Sequence, residues 1–354
     1  MKKSFILIVL TAIAGLLIFF VPGLFGEKEA IDCNGDCYGV DIVNIGEETG
    51  ETKPINSPAV LNNKVELTDK YISADKHNSS VSRKSLDEEW CVAEEELNQA
   101  DLEYIRVLEN DWHEVIGKAA IKGPSAINSD DRNYPNNAYV SSYQELPIEE
   151  LKERAQSGDK WAMIAYVQSW YGKADLQQEI ANKLLIMGAS YHAIEYLIMQ
   201  ELVSAKSSYR KAGKVDENAK QHLINATAYT MLGLKDYSVS ALTAFSGNIS
   251  GDELFQSYLN PSIVLSDAED DIRKRYLELD NSIEKAREQQ SITIERPPEA
   301  VKRLFQQDIA SYQYRNSELV VFLQGLNLES EVDLGRTPCT EKYLSRLETL
   351  NKNK

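Results

Sequence analysis

The chain has 354 residues, with 55 acidic against 38 basic side chains and a formal net charge of −17 at pH 7. This acidic excess argues against nucleic acid and anionic lipid surfaces as partners, because both carry charge of the same sign. The roughly 330 residues beyond the N-terminal segment are enough for one large or two ordinary domains. Hydrophobic residues make up 43% of the sequence, which is enough to form a core.

The N-terminus carries a hydrophobic segment with charged residues on both sides. Lys2 and Lys3 precede an apolar run over residues 5–25, and Glu27 begins a polar stretch. A helix of about 21 residues is roughly 30 Å long, which matches the hydrocarbon core of a bilayer. The positive flank predicts a cytoplasmic N-terminus. We therefore expect residues 1–26 to cross the cytoplasmic membrane of a bacterium once, with the bulk of the chain in the periplasm.

Two interpretations of this segment remain open, a retained anchor and a cleaved signal peptide. The apolar run is longer than the usual core of a signal peptide, and its small-residue triplet at 12–14 lies inside the run. The site after Gly26 is a poor one because Leu24 is bulky. Retention is favoured, and cleavage would leave a soluble periplasmic or secreted protein.

The chain has four cysteines, and an even number of cysteines in a chain expected to be exported suggests disulfide bonds. Four cysteines allow three pairings. The turn-forming residues 34–36 favour a bond between Cys33 and Cys37, which leaves Cys91 and Cys339 to join the C-terminal segment to the start of the helical body. The spacing of the first pair is not typical of zinc sites, and no histidine lies near it. Metal binding and unpaired thiols are the alternatives.

The composition changes along the chain and predicts an all-α protein with six consecutive segments. Residues 27–85 are polar and weakly periodic, which predicts a low-order tether. From Leu86 onward, apolar residues recur at three- and four-residue steps, as in amphipathic helices. The segments are the anchor or signal segment (1–26), the tether (27–85), a helical segment (86–123), a polar loop (124–147), a repeat region (148–247) and a C-terminal helical region (248–354).

The repeat region has the pattern of antiparallel helix pairs joined by short turns. Glycines recur between the predicted helices, and glycine permits turns and helix ends that other residues resist. Such an alternation predicts an α-solenoid with flanking helices. The predicted helices cover 149–157, 160–170, 177–187, 192–210, 216–232 and 235–245, and the glycines lie at 158, 172, 188, 213, 233 and 247.

The first helix pair resembles a Sel-one-like repeat, a short relative of the tetratricopeptide repeat. The stretch 155–162, AQSGDKWA, has the small residue, the Gly-Asp pair and the alanine that open this repeat. His192 replaces the usual glycine of the next repeat, and the match continues to residue 247 as degenerate copies. The resemblance implies helix pairs and, as in the family, binding of other proteins. The matching residues are Ala155, Gly158, Asp159, Ala162, Ala181 and Gly188.

No motif of catalysis, phosphate binding or metal binding stands out. The four histidines at 77, 113, 192 and 222 are scattered, and the sequence contains no nucleophile elbow, P-loop or dinucleotide-binding fingerprint. Asp130 and Asp131 lack the spacing of a calcium-binding loop. We therefore expect no enzyme activity, no cofactor and no metal.

Aromatic residues of the repeat region are candidates for binding a partner. A tyrosine on a helical array offers apolar area and a hydroxyl to a peptide, and packing between helices is its other use. We expect a membrane-tethered scaffold or adaptor that binds another protein or peptide. The alternative is a cell-wall enzyme or accessory factor that uses the helical array as a substrate groove. The candidate partner-binding residues are Tyr166, Trp170, Tyr196 and Tyr229.

Overall fold

The computed structural model describes residues 89–119, 137–169, 171–315, 317–326 and 337–352. In these residues every regular element is a helix, which confirms the predicted all-α class. The chain divides into two units after Lys70, and the described residues all belong to the second. Among them, no helix has both the length and the apolar character of a membrane span. The predicted anchor and tether, Cys33, Cys37 and Trp170 lie outside the described residues.

The helices are named here in chain order. They are α1 (Ala93–Glu96), α2 (Gln99–Val115), α3 (Asn137–Gln144), α4 (Ile148–Gln156), α5 (Lys160–Val167), α6 (Ala174–Ile186), α7 (Ser190–Ala212), α8 (Glu217–Lys235), α9 (Val239–Ser250), α10 (Glu253–Ser257), α11 (Pro261–Val264), α12 (Glu269–Gln290), α13 (Glu299–Arg315), α14 (Ser317–Gly325) and α15 (Pro338–Lys352).

Helices α4 to α9 form the centre of the described structure and are called the helix stack below. Each of them packs against the next in sequence, and the contact between α7 and α8 is the most extensive. Contacts also run from α5 to α7 and from α7 to α9, so alternate helices lie side by side. The core consists largely of alanine, leucine and isoleucine side chains from these helices. The small alanines let neighbouring helices approach closely, and the larger side chains fill the space between them.

The chain after the stack folds back over it. Helix α12 lies across α8 and α6, α13 contacts both α9 and α2, and α15 packs on α13. Cys339, at the start of α15, is joined to Cys91 by a disulfide bond with Cα atoms 4.8 Å apart. The predicted pairing of these two cysteines is therefore present. It connects positions 248 residues apart in the sequence.

Glycines serve two different purposes in the stack. Gly158 and Gly188 end α4 and α6 with φ of 92° and 80°, a left-handed conformation that favours glycine. Gly233 instead lies inside α8, where an added Cβ would be 2.5 Å from the Cβ of Ala241 and 2.8 Å from Cγ2 of Ile194. The predicted helix end at residue 232 is therefore wrong, because this glycine serves close packing and α8 continues to residue 235.

Candidate functional site

The tyrosines predicted to bind a partner lie inside the helix stack. Tyr166, Tyr196 and Tyr229 expose only 1%, 7% and 4% of their surface. The hydroxyl of Tyr196 donates a hydrogen bond to the carbonyl of Ala174 at 3.2 Å. These three side chains pack between helices, which is the alternative to partner binding. Burying a large aromatic ring in this way is favourable. They do not form an open binding surface, and Trp170 lies outside the described residues.

The residues behind the repeat resemblance build the turn between α4 and α5. Asp159 caps α5, since its carboxylate accepts hydrogen bonds from the backbone N–H groups of Trp161 and Ala162, both at 3.1 Å. The hydroxyl of Tyr143 donates to the same carboxylate at 2.6 Å. These contacts use the Asp159 carboxylate to cap α5 and to fix the turn. The buried small residues of the motif are Ala155, Ala162 and Ala181.

A cleft of about 700 Å³ lies between α12 and one end of the helix stack. Its walls are α12, the end of α8, the start of α7 and the end of α2, and the irregular segment 292–298 borders it. We call it the α12 cleft. Its cationic lining residues are Lys235, Arg273, Arg287, Arg296 and Lys302. Its carboxylate residues are Asp236, Asp280, Glu284 and Glu295.

Four of the nine charged groups that line the α12 cleft are paired with one another. Nζ of Lys235 lies 2.5 Å from the carboxylate of Asp280 and 3.9 Å from that of Glu284. Arg287 pairs with Glu284 at 2.8 Å and donates hydrogen bonds to the two carbonyls of 185–186 at the end of α6. These pairs attach α12 to both α8 and α6, so one wall of the cleft is held in place by its own charges.

Two further cations of the cleft pair with carboxylates at its edge. Arg273 lies 3.2 Å from Glu269, one turn earlier in α12. Lys302 lies 3.9 Å from Glu299, and its ammonium is 5.6 Å from the centre of the Tyr237 ring. That distance is within the range of a cation–π interaction. These two cations are therefore already engaged within the chain.

Asp236 is a partly buried charged group of the cleft lining that has no partner among the described residues. It follows the last residue of α8, is partly buried, and makes no side-chain hydrogen bond or ion pair within the described part of the chain. Burial raises the pKa of Asp236 from 3.8 to about 6, although Arg287 and Lys235 act in the opposite direction. The carboxyl group is therefore mostly ionised at pH 7 and mostly protonated at pH 5.

The next residue, Tyr237, has a left-handed backbone with φ of 54°. It occupies the position after a helix end where glycine is usual, and the N–H of Ser238 bonds to the carbonyl of Gly233 at 2.9 Å to close the turn. The Tyr237 ring meets Phe305 edge-on, with centroids 5.4 Å apart. A side chain in this conformation costs about 1 kcal/mol, and such residues cluster at functional sites.

Two buried polar groups of the cleft lining lack a hydrogen-bond partner among the described residues. They are the indole N–H of Trp112 and the hydroxyl of Ser190, in side chains that are 6% and 1% exposed. A buried polar group without a partner costs about 1–3 kcal/mol. Such groups are few in native proteins and call for an explanation. Both belong to the wall made by the end of α2 and the start of α7.

Comparison with known proteins yields no relative. No protein-family model matches the chain, and no curated protein or solved structure matches it either. The resemblance to Sel-one-like repeats therefore stays a prediction from the motif. In the described residues, no group of three or more histidine, cysteine, aspartate or glutamate side chains is arranged to hold a metal ion.

Proposed function

We propose that this protein is a membrane-tethered, extracytoplasmic α-solenoid that binds a polypeptide segment of a partner protein in the α12 cleft. One observation carries the proposal. A cleft of about 700 Å³ contains a partly buried carboxylate, a buried indole N–H and a buried hydroxyl that have no partner within the described residues. Such groups are costly in an isolated chain and become satisfied when a ligand supplies the missing partner.

A polypeptide segment has the chemistry that these groups need. Its backbone carbonyls accept hydrogen bonds from donors such as Trp112, and its N–H groups donate to acceptors such as Ser190. Clefts of about 300–1,000 Å³ hold ligands the size of a few residues. We therefore expect a short stretch of the partner to enter the cleft, with the rest of the partner outside it.

The extracytoplasmic location in this proposal rests on two features. The apolar run over residues 5–25 follows two lysines, as in membrane anchors. The disulfide between Cys91 and Cys339 is typical of compartments where thiols are oxidised.

Site-directed photo-crosslinking in intact envelopes tests the proposal. Leu277 lines the α12 cleft and is 48% exposed, whereas Val203 on α7 is 53% exposed and lies outside the lining set. With p-benzoylphenylalanine at position 277, we expect one discrete adduct with a second polypeptide. The same amino acid at position 203 is the control and should give no such band. Equal adducts at both positions, or none at 277, would reject the cleft as a polypeptide-binding site.

The alternative function, a cell-wall enzyme, is favoured by the environment of Asp236. A carboxylic acid with a pKa of about 6 in a cleft has the property that a general acid for glycoside cleavage requires. Incubation of the full chain with isolated peptidoglycan tests this function. An enzyme would release soluble fragments, and Asp236→Asn would abolish the release. No release from the unsubstituted chain rejects it.

A further inference from the structure

The charges of the α12 cleft leave a negative balance once the pairs are set aside. Four of its five cations are engaged by carboxylates, and the same pairs engage Asp280 and Glu284. The lining groups that remain unpaired within the described residues are Asp236, Glu295 and Arg296. Glu295 and Arg296 are adjacent, exposed and opposite in sign, so solvent screens both. Asp236 is therefore the partly buried charge that remains.

The charged neighbours of Asp236 do not neutralise it. Lys235 and Arg287 are the nearest cations, but neither comes within ion-pairing distance of its carboxylate. The ammonium of Lys235 is held by Asp280, and the guanidinium of Arg287 is used by Glu284 and two backbone carbonyls. Asp280 and Glu284 repel the carboxylate, and the Tyr276 hydroxyl also faces it from α12. The described part of the chain thus supplies no hydrogen-bonded cation at this position.

We infer that Asp236 selects the ligand of the α12 cleft by accepting the ammonium or guanidinium group of a lysine or arginine side chain. The inference rests on the proposed function and names the chemistry of the segment that it binds. A cation with hydrogen bonds to a partly buried carboxylate gives a strong pair, because solvent screens it little. The ring of Tyr276 also lines the cleft, and aromatic faces attract cations, whereas the Tyr237 ring already has the ammonium of Lys302 within 5.6 Å.

The charge of the whole chain acts in the same direction. A net charge of −17 attracts basic segments from a distance and raises their rate of association. Asp236 then decides which of these segments stays bound. Because the acid is protonated below a pH of about 6, the preference for a basic residue weakens on acidification.

Fluorescence anisotropy with labelled peptides tests this selection on the full chain in detergent micelles. The three probes are decapeptides of glycine, serine and tyrosine that are identical except for arginine, glutamine or glutamate at the central position. At pH 7.5 we expect the arginine peptide to bind about tenfold more tightly than the glutamine peptide, as for one good charge pair. Asp236→Asn should reduce the ratio to about twofold or less, and so should pH 5 for the unsubstituted chain.

The controls separate this inference from the proposed function. Asp270→Asn removes an exposed carboxylate of α12 outside the cleft lining and should keep the tenfold ratio. Arg296→Gln should also keep it. If the three peptides bind equally, or if the glutamate peptide binds best, the inference fails while peptide binding stands. If none binds, the inference fails, and a missing adduct at position 277 then rejects the proposed function separately.

Discussion

Arg287 on α12 donates a hydrogen bond to the carbonyl of Leu185 at the end of α6, with 2.7 Å between the two atoms. A second bond from the same guanidinium reaches the carbonyl of Ile186 at 3.1 Å. The last carbonyls of a helix have no partner within the helix, so a cation from another element can satisfy them. This contact fastens α12 to the end of α6, beside its more extensive packing on α8, and α12 forms one wall of the cleft.

Removal of the Arg287 side chain tests this contact. Arg287→Ala leaves two carbonyls and Glu284 without their cation, and we expect it to lower the free energy of unfolding by about 2–4 kcal/mol. Arg287→Lys should recover only part of the loss, because one ammonium cannot replace the fork of donors. Urea denaturation followed by circular dichroism measures both. Arg210→Ala, at an exposed position of α7, should stay within about 0.5 kcal/mol.

Two glycines inside helices predict opposite effects of the same substitution. Gly233→Ala should destabilise the protein by about 1–3 kcal/mol, because the new methyl group would lie 2.5 Å from the Cβ of Ala241. Gly247→Ala should stabilise it by about 0.5–1 kcal/mol, since no atom lies within 4 Å of the added Cβ and alanine favours helix. Thermal denaturation of both variants decides this, and a shift of the same sign in both would contradict the packing described for α8.

The left-handed backbone at Tyr237 predicts a difference between two truncations. Tyr237→Gly and Tyr237→Ala both lose the contact of the ring with Phe305. Only glycine adopts a φ of 54° without strain. We therefore expect the glycine variant to be more stable than the alanine variant by about 1 kcal/mol. Equal unfolding midpoints in urea would show that this turn relaxes when the ring is removed.

The raised pKa of Asp236 predicts a pH-dependent difference between the protein and its Asp236→Asn variant. The folded state holds the proton up to a pH of about 6, whereas an unfolded aspartate loses it near 3.8. Unfolded chains therefore bind fewer protons in this interval, and the contribution of Asp236 to stability falls as pH rises from about 4 to about 6. The variant should gain up to about 3 kcal/mol relative to the unsubstituted protein between pH 4 and pH 7.5.

Chemical denaturation at these two pH values measures that gain. Asp270→Asn serves as the control, because its carboxylate is exposed. A constant difference between Asp236→Asn and the unsubstituted protein at both pH values would mean that Asp236 is not desolvated.

The disulfide between Cys91 and Cys339 predicts sensitivity to reduction. Opening a loop of this length should lower the free energy of unfolding by about 5–6 kcal/mol in the chain-entropy model. Ion pairs from Lys342 to Glu96 at 2.7 Å and from Arg346 to Glu94 at 3.1 Å stay in place, so α15 should remain docked below the unfolding transition. Unfolding midpoints with and without reductant measure the loss, and Cys91→Ser should remove the difference between them.

Mass mapping under non-reducing conditions checks the connectivity directly. We expect a peptide pair that contains Cys91 and Cys339, and a bond between Cys33 and Cys37. Free thiols at all four positions would contradict both the bonds and the extracytoplasmic location.

The positions of the helices could be predicted from the local sequence pattern. Whether a tyrosine packs between helices or binds a ligand could not. The spacing of apolar residues predicted α5 to α9 with ends a few residues away from those observed. Tyr166 and Tyr229 lie on apolar faces, and this pattern is the same whether the face meets another helix or a ligand. Only the packing of α5 against α4, α6 and α7 showed that the ring of Tyr166 is interior, and only the packing of α8 against α7 and α12 showed it for Tyr229.

Sequence by itself determined the all-α class and the acidic character of the chain, because these depend on local periodicity and residue counts. It favoured the pairing of Cys91 with Cys339 among three possible pairings, and the tertiary structure places the two cysteines together. Tertiary structure alone decided where the candidate site lies. The α12 cleft combines residues from Trp112 to Lys302, and no local pattern connects them. Asp236 stands out only when the partners of Lys235 and Arg287 are known, since an unpaired charge is defined by the three-dimensional positions of its neighbours.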